Sequence, residues 1–339
     1  LLLLSAGGCL STDGGAKTGE NKKIFLVIQG KTIEDGGYNE LCWKAVQQFS
    51  SRADIRGWGS PEAREFPEVL KKVLKEKPGL VFLTLDSEYN PQLEPIIKAH
   101  PEVKFVGLDE RVQNQYPNFR SINIAVQEGA MLAGYLAGRM TRTGQVGFIG
   151  GKDSFVIDPF VYGYEAGAAY AAREQQKKVQ CLVRFADTFF EEEKGTYLAR
   201  ELYWGGCDVL FQAAGNTGLG AIKEAKRERR YIIGVDEDQS RLAPEVVLAS
   251  VQKKLAENIT GIITDYLQQA AWKTDDRLGL KEGATGLTTS AKLVPPPVEQ
   301  GVKALEEKLI RGELTAPANK EEYTRFILAL EKNPHVAGK

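Results

Sequence analysis

Short, apolar, β-rich runs alternate with amphipathic helical stretches along almost the whole chain, and this alternation leaves few architectures open. Residues 23–29 (KIFLVIQ), 80–85 (LVFLTL), 103–108 (VKFVGL) and 145–149 (QVGFI) read as strands, as do 181–185, 208–211 and 231–235. Helices are expected over 39–50, 91–99, 127–140, 159–173, 194–204 and 218–227. Near-continuous hydrophobic strands between helices imply a parallel sheet covered on both faces. The expected fold class is therefore α/β, with doubly wound parallel sheets.

A second βα series begins at Gly144 and carries its own glycine-rich strand exit, Gly150-Gly151. With 339 residues the chain is about twice a typical domain, which suits two lobes. We expect a leader remnant and tether over 1–21, a first lobe of 22–126 plus 253–287, and a second of 127–252 plus 288–339. The chain should cross back after Val251 for a helix over 255–271 and cross again near 285–289. Hinges are thus expected near Ala125, Val251 and Leu287. Two charged helices follow Pro295-Pro296-Pro297. Polar or glycine residues recur at the strand ends: Leu85-Asp86, Leu108-Asp109, Ile149-Gly150, Phe211-Gln212, Val235-Asp236. Ligands of open α/β sheets bind beyond the carboxyl ends of strands, so two facing lobes would enclose a cleft lined by these residues.

Charge and histidine content narrow the function. The net charge is −1, so no basic excess exists to neutralise phosphates, and nucleic acid is not an expected partner. The two histidines, His100 and His335, each adjoin a proline. Neither stands at an expected strand end to activate a Ser or Cys. Carboxylate pairs leave glycosidic hydrolysis open on composition alone. The pattern favours binding: not an enzyme, with no catalytic cofactor and no metal.

The N-terminus, Leu1-Leu2-Leu3-Leu4-Ser5-Ala6-Gly7-Gly8-Cys9, reads as the end of a signal peptide's apolar region. It resembles the lipobox of bacterial lipoproteins, with Ala6 where Leu is usual, and implies lipidation of Cys9. Residues 11–21, rich in Gly, Ser, Thr and Lys, suit a flexible tether. No other segment approaches the roughly 18–20 apolar residues of a membrane span. The expected location is the periplasm or cell envelope, anchored to a membrane through Cys9. Cys42, Cys181 and Cys207 show no zinc-site spacing and read as small buried hydrophobes, with one disulfide optional.

Several blocks, in order, carry a family resemblance. They are Asp35-Gly36-Gly37-Tyr38-Asn39 with Trp43 following, Val146-Gly147-Phe148-Ile149-Gly150-Gly151, and Gly163-Tyr164-Glu165-Ala166-Gly167. Further on come Phe211-Gln212-Ala213-Ala214-Gly215-Asn216-Thr217-Gly218 and Ile233-Gly234-Val235-Asp236-Glu237-Asp238-Gln239. From Lys23 to about Leu287 the chain resembles the basic membrane protein family of substrate-binding lipoproteins, which have a type I periplasmic-binding-protein fold. The resemblance implies a monomeric receptor that delivers a small planar ligand to an ABC permease in the inner membrane. The best-known members bind purine nucleosides, sandwiching the base between two aromatic rings. Carried over by motif, the rings fall on Tyr38 and Phe189, and the polar contacts on Asn39, Asp109, Asp236 and Lys253.

The chain departs from the family where Lys-Ser becomes Gly36-Gly37 beside Tyr38, which should enlarge the pocket. Asp35, Gly37, Trp58, Phe155 and Gly215 are expected to line it too, with Tyr89 and Asn90 facing the same cleft. A wide, aromatic pocket suits a tricyclic ring with a polyol tail. The chain is also similar to the riboflavin-binding branch of this family, so riboflavin is the expected cargo and a purine nucleoside the alternative. The near absence of Lys and Arg at expected strand ends disfavours a phosphate on the ligand. Residues 215–220 (GNTGLG) resemble a phosphate cradle without its Lys-Ser/Thr end. The run 223–230 (KEAKRERR) reads as a solvated helix face.

Overall fold

Strand β1 (Lys23–Gln29) shows why the chain folds in layers. Ile24, Leu26 and Ile28 enter one core cluster, and Phe25 and Val27 another. Successive side chains point to opposite faces of a sheet. A strand apolar at every interior position must therefore be covered on both sides. The computed structural model describes residues 22–29, 33, 38–60, 63–84, 92–108, 116–273 and 275–332.

After β1 come α1 (Tyr38–Gln47), β2 (Asp54–Ser60), α2 (Phe66–Leu74), β3 (Leu80–Thr84), α3 (Leu93–Ala99), β4 (Lys104–Leu108) and β5 (Phe119–Ile124). The second series is α4 (Val126–Met140), β6 (Gln145–Gly150), α5 (Asp158–Gln175), β7 (Gln180–Phe185), α6 (Glu192–Trp204), β8 (Val209–Ala213), α7 (Asn216–Glu228), β9 (Tyr231–Asp236) and β10 (Val247–Lys253). The chain ends with α8 (Leu255–Leu267), β11 (Asp275–Leu278), β12 (Thr285–Thr289), α9 (Pro296–Ile310) and α10 (Lys320–Lys332).

These strands form two 6-stranded sheets, ordered β11-β5-β4-β3-β1-β2 and β12-β10-β9-β8-β6-β7. Both follow the same winding. The second strand of each series flanks the first on one side, and the third, fourth and fifth extend the other. All pairings are parallel except β10 with β12. The order reverses beside β1 in the first sheet and beside β6 in the second. Such switch points open a crevice at the carboxyl ends of the strands. The α/β, doubly wound expectation holds.

The crossings fall at different places from those expected. Val251 and Leu287 pair with each other inside the second sheet, so neither is a hinge. Strand β12 satisfies the open edge of β10 and belongs to the second lobe, which moves the boundary back from residue 287. The chain crosses at Ala125, at Lys254 and over residues 279–284. Main-chain hydrogen bonds lace these segments: Ala125 to the Leu278 carbonyl at 2.8 Å and Lys254 to the Ala284 carbonyl at 2.9 Å. One core cluster runs from Ile24 and Leu26 of the first sheet through α4 to Val146 and Phe211 of the second.

Helix α4 is buried on nearly every side, as its composition demands. Its contact with α5 is close enough that a Cβ on Gly134 would collide with the Tyr164 carbonyl, and one on Gly167 with that of Met131. Among the described residues, no disulfide joins Cys42, Cys181 and Cys207, so the optional bridge is not formed. Burial pushes the Cys181 thiol well above its ordinary range and that of Cys207 up to about 11, as expected for inert, apolar-packed thiols.

Candidate ligand cleft

Tyr38 opens α1 at the carboxyl edge of the first sheet. Its hydroxyl donates to the Leu108 carbonyl at the end of β4, at 3.4 Å. The next residue is tied to the end of β3, where Thr84 Oγ1 donates to Asn39 Oδ1 at 3.1 Å. Two neighbouring strand ends therefore fix the first turn of α1. The Tyr38 ring is half-buried and packs against the main core cluster.

Phe189 holds the corresponding place on the second sheet. Its loop is pinned by hydrogen bonds from Ala186 N to the Gly150 carbonyl and from Thr188 N to the Gly151 carbonyl, both 2.9 Å. Thr217, in the first turn of α7, donates its amide to the Phe189 carbonyl at 3.2 Å and accepts from Glu191 N at 3.0 Å. The ring lies on Gly151, where any Cβ would clash with it. Gly215 precedes α7 at φ +55°, and a Cβ there would sit 3.1 Å from the Phe189 carbonyl. The two glycines thus let a strand exit and a helix start approach one aromatic residue. That is the role of GNTGLG in this structure: the helix start buttresses Phe189.

Asp236 ends β9 in the left-handed region at φ +68°. Asp187, beside Phe189, does so at φ +59°. Left-handed non-glycine residues cost energy and concentrate at functional sites. The Asp236 turn is braced from below. The fully buried Gln212 donates to Gln239 Oε1 at 2.8 Å, which also accepts from Val235 N at 3.1 Å. Gln239 N in turn donates to Ser250 Oγ at 3.0 Å. The sequence motifs contain both glutamines, but only the fold joins them.

Lys253 ends β10 and is buried, a rare setting for an ammonium. Its Nζ lies 5.0 Å from the centre of the Tyr38 ring. Since Lys253 belongs to the second sheet and Tyr38 to the first lobe, this cation–π contact brings the two carboxyl edges together. An ammonium over an aromatic face regains part of its lost hydration. Lys152, unassigned from sequence, stands 5.9 Å from the centre of the Phe189 ring. Each ring therefore has a lysine nearby, which qualifies the expectation that cations are scarce at the strand ends. The signal was available: Lys152 directly follows the Gly150-Gly151 exit.

Two expected lining residues fare differently. Phe155 is half-buried in the loop over residues 151–157, at the exit of β6. Trp58 is placed elsewhere. It pairs in register with Val27, and its ring meets Phe25 edge-on at 4.7 Å. It packs with the cluster on the α2 side of the first sheet, not at the strand ends. In-register neighbours on parallel strands share a face, so a residue two positions before the end of β2 is committed to that face. Asp35, Gly37 and Asp109 lie outside the described residues, as do Gly36, Tyr89, Asn90 and Cys9. Among the described residues, no group of three or more His, Cys, Asp and Glu side chains could hold a metal ion.

Two equivalent sheets meeting at their carboxyl edges, with an aromatic side chain on each, make this a bilobal solute-binding protein of the type I fold. Solved structures show the same fold. An ABC transporter solute-binding protein of Aeropyrum pernix K1 superposes with TM-score 0.81 at 21% identity, covering 93% of this chain and 99% of that one. A transcriptional activator of the comK gene from Bacillus halodurans gives TM-score 0.71 at 18% identity, covering 86% and 99%. A sequence model of the Bmp family, described as ABC transporter substrate-binding protein PnrA-like, matches residues 21–320. Basic membrane protein A of Borreliella afzelii is 32% identical over 312 residues, covering 90% of this chain and 94% of that protein. Basic membrane protein B of Borreliella burgdorferi strain B31 is 34% identical over 350 residues, covering 96% of each. The chain belongs to the Bmp family of ABC-type substrate-binding proteins, whose members bind a small-molecule ligand and work with a permease. Such proteins are extracytoplasmic and are not enzymes. Among the described residues, no helix is long and apolar enough to cross a membrane.

Proposed function

We propose that the chain captures riboflavin in this cleft, between the rings of Tyr38 and Phe189, and hands it to an ABC permease. The observation that carries the reading is the cross-lobe contact of Lys253 with the Tyr38 ring, at 5.0 Å. It sets a buried polar donor beside one ring, as a ligand with a flat body and a hydroxylated tail requires. Stacking on two rings contributes only about 0.5–1.5 kcal/mol per aromatic pair beyond area burial. A nanomolar complex needs about 12 kcal/mol. The rest must come from apolar burial, closure and hydroxyl contacts to Asn39, Asp236 and Lys253. A carboxylate accepts two hydroxyl donors at once, and a ribityl chain offers adjacent hydroxyls.

Calorimetry with riboflavin, FMN, guanosine, inosine and adenosine tests the ligand, alongside quenching of tryptophan fluorescence by riboflavin. Saturable riboflavin binding tighter than that of any nucleoside is expected. Binding of a nucleoside with no riboflavin binding would transfer the site to the nucleoside class. We also read Cys9 as the lipid-bearing residue of an envelope anchor. Replacing Cys9 with Ser should release the protein from the membrane fraction, and retention there would refute the anchor.

A further inference from the structure

The second sheet has another concave surface, at the end opposite Phe189. A cavity of about 600 Å3 opens at the amino ends of its strands. It is lined by Arg142 from the turn before β6, Asp208 before β8, Tyr231 at the start of β9, and Lys226, Arg229 and Arg230 around the end of α7. Glu245 completes the rim.

The two carboxylates are already engaged. Asp208 is buried and accepts from Thr141 Oγ1 at 2.6 Å, Arg142 N at 2.7 Å and Thr143 N at 3.2 Å. Glu245 pairs with Lys226 at 3.2 Å. Among the described residues, the guanidiniums of Arg142, Arg229 and Arg230 have no ion-pair partner. The negative end of the α7 macrodipole accounts for cations at its own last turn. It does not account for Arg142, which arrives from the end of α4 on a turn held by Asp208. Arg142, Arg229 and Arg230 are exposed and line one cavity, so an oxyanion held there would be shared among three like charges. Guanidiniums bind phosphate oxygens through paired, charge-assisted hydrogen bonds.

We propose that this cavity is a second binding site, for the phosphate group of a phosphomonoester or phosphodiester. The run KEAKRERR is thus divided by the fold. Lys223 pairs with Glu192, and Arg227 with Glu224 and Glu228, while Lys226, Arg229 and Arg230 line the cavity. The site shares no residue with the ligand cleft, so it stands whether or not riboflavin is the cargo.

The test uses the full chain at fixed ionic strength. Inorganic phosphate and pyrophosphate are titrated by calorimetry. Sedimentation is followed with vesicles of phosphatidylglycerol in phosphatidylcholine and of phosphatidylcholine alone. The Arg142→Gln/Arg230→Gln variant keeps the main-chain bond to Asp208, so its thermal unfolding should match that of the parent. The expected result is one saturable anion site that weakens about tenfold or more in this variant and is unaffected by Arg325→Gln, a substitution of an exposed arginine elsewhere. Soluble anions binding without vesicles would mark a free phosphate compound. Phosphatidylglycerol vesicles binding without soluble anions would mark a lipid headgroup. No saturable binding in any arm, or equal losses in both variants, would overturn the proposal.

Discussion

Phe189 holds its position because Gly151 has no side chain. Gly151→Ala should drive the ring from its seat and weaken riboflavin binding about tenfold or more, close to the effect of Phe189→Ala. Calorimetry on both variants checks this, and undiminished affinity in Gly151→Ala would remove Phe189 from the clamp. Glu165, on α5, is a second informative residue. Burial raises its carboxyl from an ordinary value near 4.5 to about 7. Tyr162 and Tyr323 meet nearby at a tilt of 37°, ring centres 5.9 Å apart, and both the Tyr323 hydroxyl and the Cys181 thiol feel its charge. The folded state therefore holds this proton to higher pH than the unfolded chain does. Its contribution to stability is complete below about pH 4.5 and is lost as pH rises to about 7. The loss should be about 1–3 kcal/mol. Urea unfolding at pH 5 and pH 8 should show it in the parent, while Glu165→Gln should flatten the profile. A parent no less stable at pH 8 than at pH 5 would contradict this account.

The α4–α5 contact makes the matching point for whole elements. Gly167→Ala places a methyl against the Met131 carbonyl, a backbone atom that cannot yield cheaply. A loss of about 2–3 kcal/mol is expected. Gly261→Ala, on the exposed side of α8 where nothing lies within 4 Å, should instead gain about 0.5–1 kcal/mol. Thermal unfolding of the pair separates packing from propensity. Elements also show what the sequence could reveal. The interior strands β1, β3, β4, β6, β8 and β9 were legible because burial on both faces makes them apolar at nearly every position. The edge strand β7 was legible too, while the remaining strands were harder to see. β2 (DIRGWGS) and β11 (DDRL) are edge strands that carry charge, as edges commonly do. β5 (FRSINI) alternates polar with apolar residues. β10 and β12 were read as crossings, since a strand that returns to its own sheet looks locally like one that leaves it. The site follows the same logic. Tyr38, Phe189, Asp236 and Lys253 stand out in the sequence because motifs mark strand ends, and the fold brings Lys253 to the Tyr38 ring. Trp58 misled because its face depends on register with Val27, and Lys152 was overlooked because its significance lies in distance to a ring.

For the whole molecule, ligand capture between two lobes should draw them together by rotation at Ala125, Lys254 and residues 279–284. Small-angle scattering should show a smaller radius of gyration with riboflavin bound, and binding with no change in radius would rule out closure. The laced crossings resist free flapping. Leu280 N also donates to Glu128 Oε2 at 2.8 Å, which ties the third crossing to the first turn of α4. Movement is thus confined to a narrow set of directions. Sheet membership switches three times among the described strands: after β5, after β10 and after β11. An odd number of passages leaves Lys23 in one half and α10 in the other. Fluorophores attached near Lys23 and on α10 would consequently sit on different lobes, and energy transfer between them should change on closure without any probe inside the cleft.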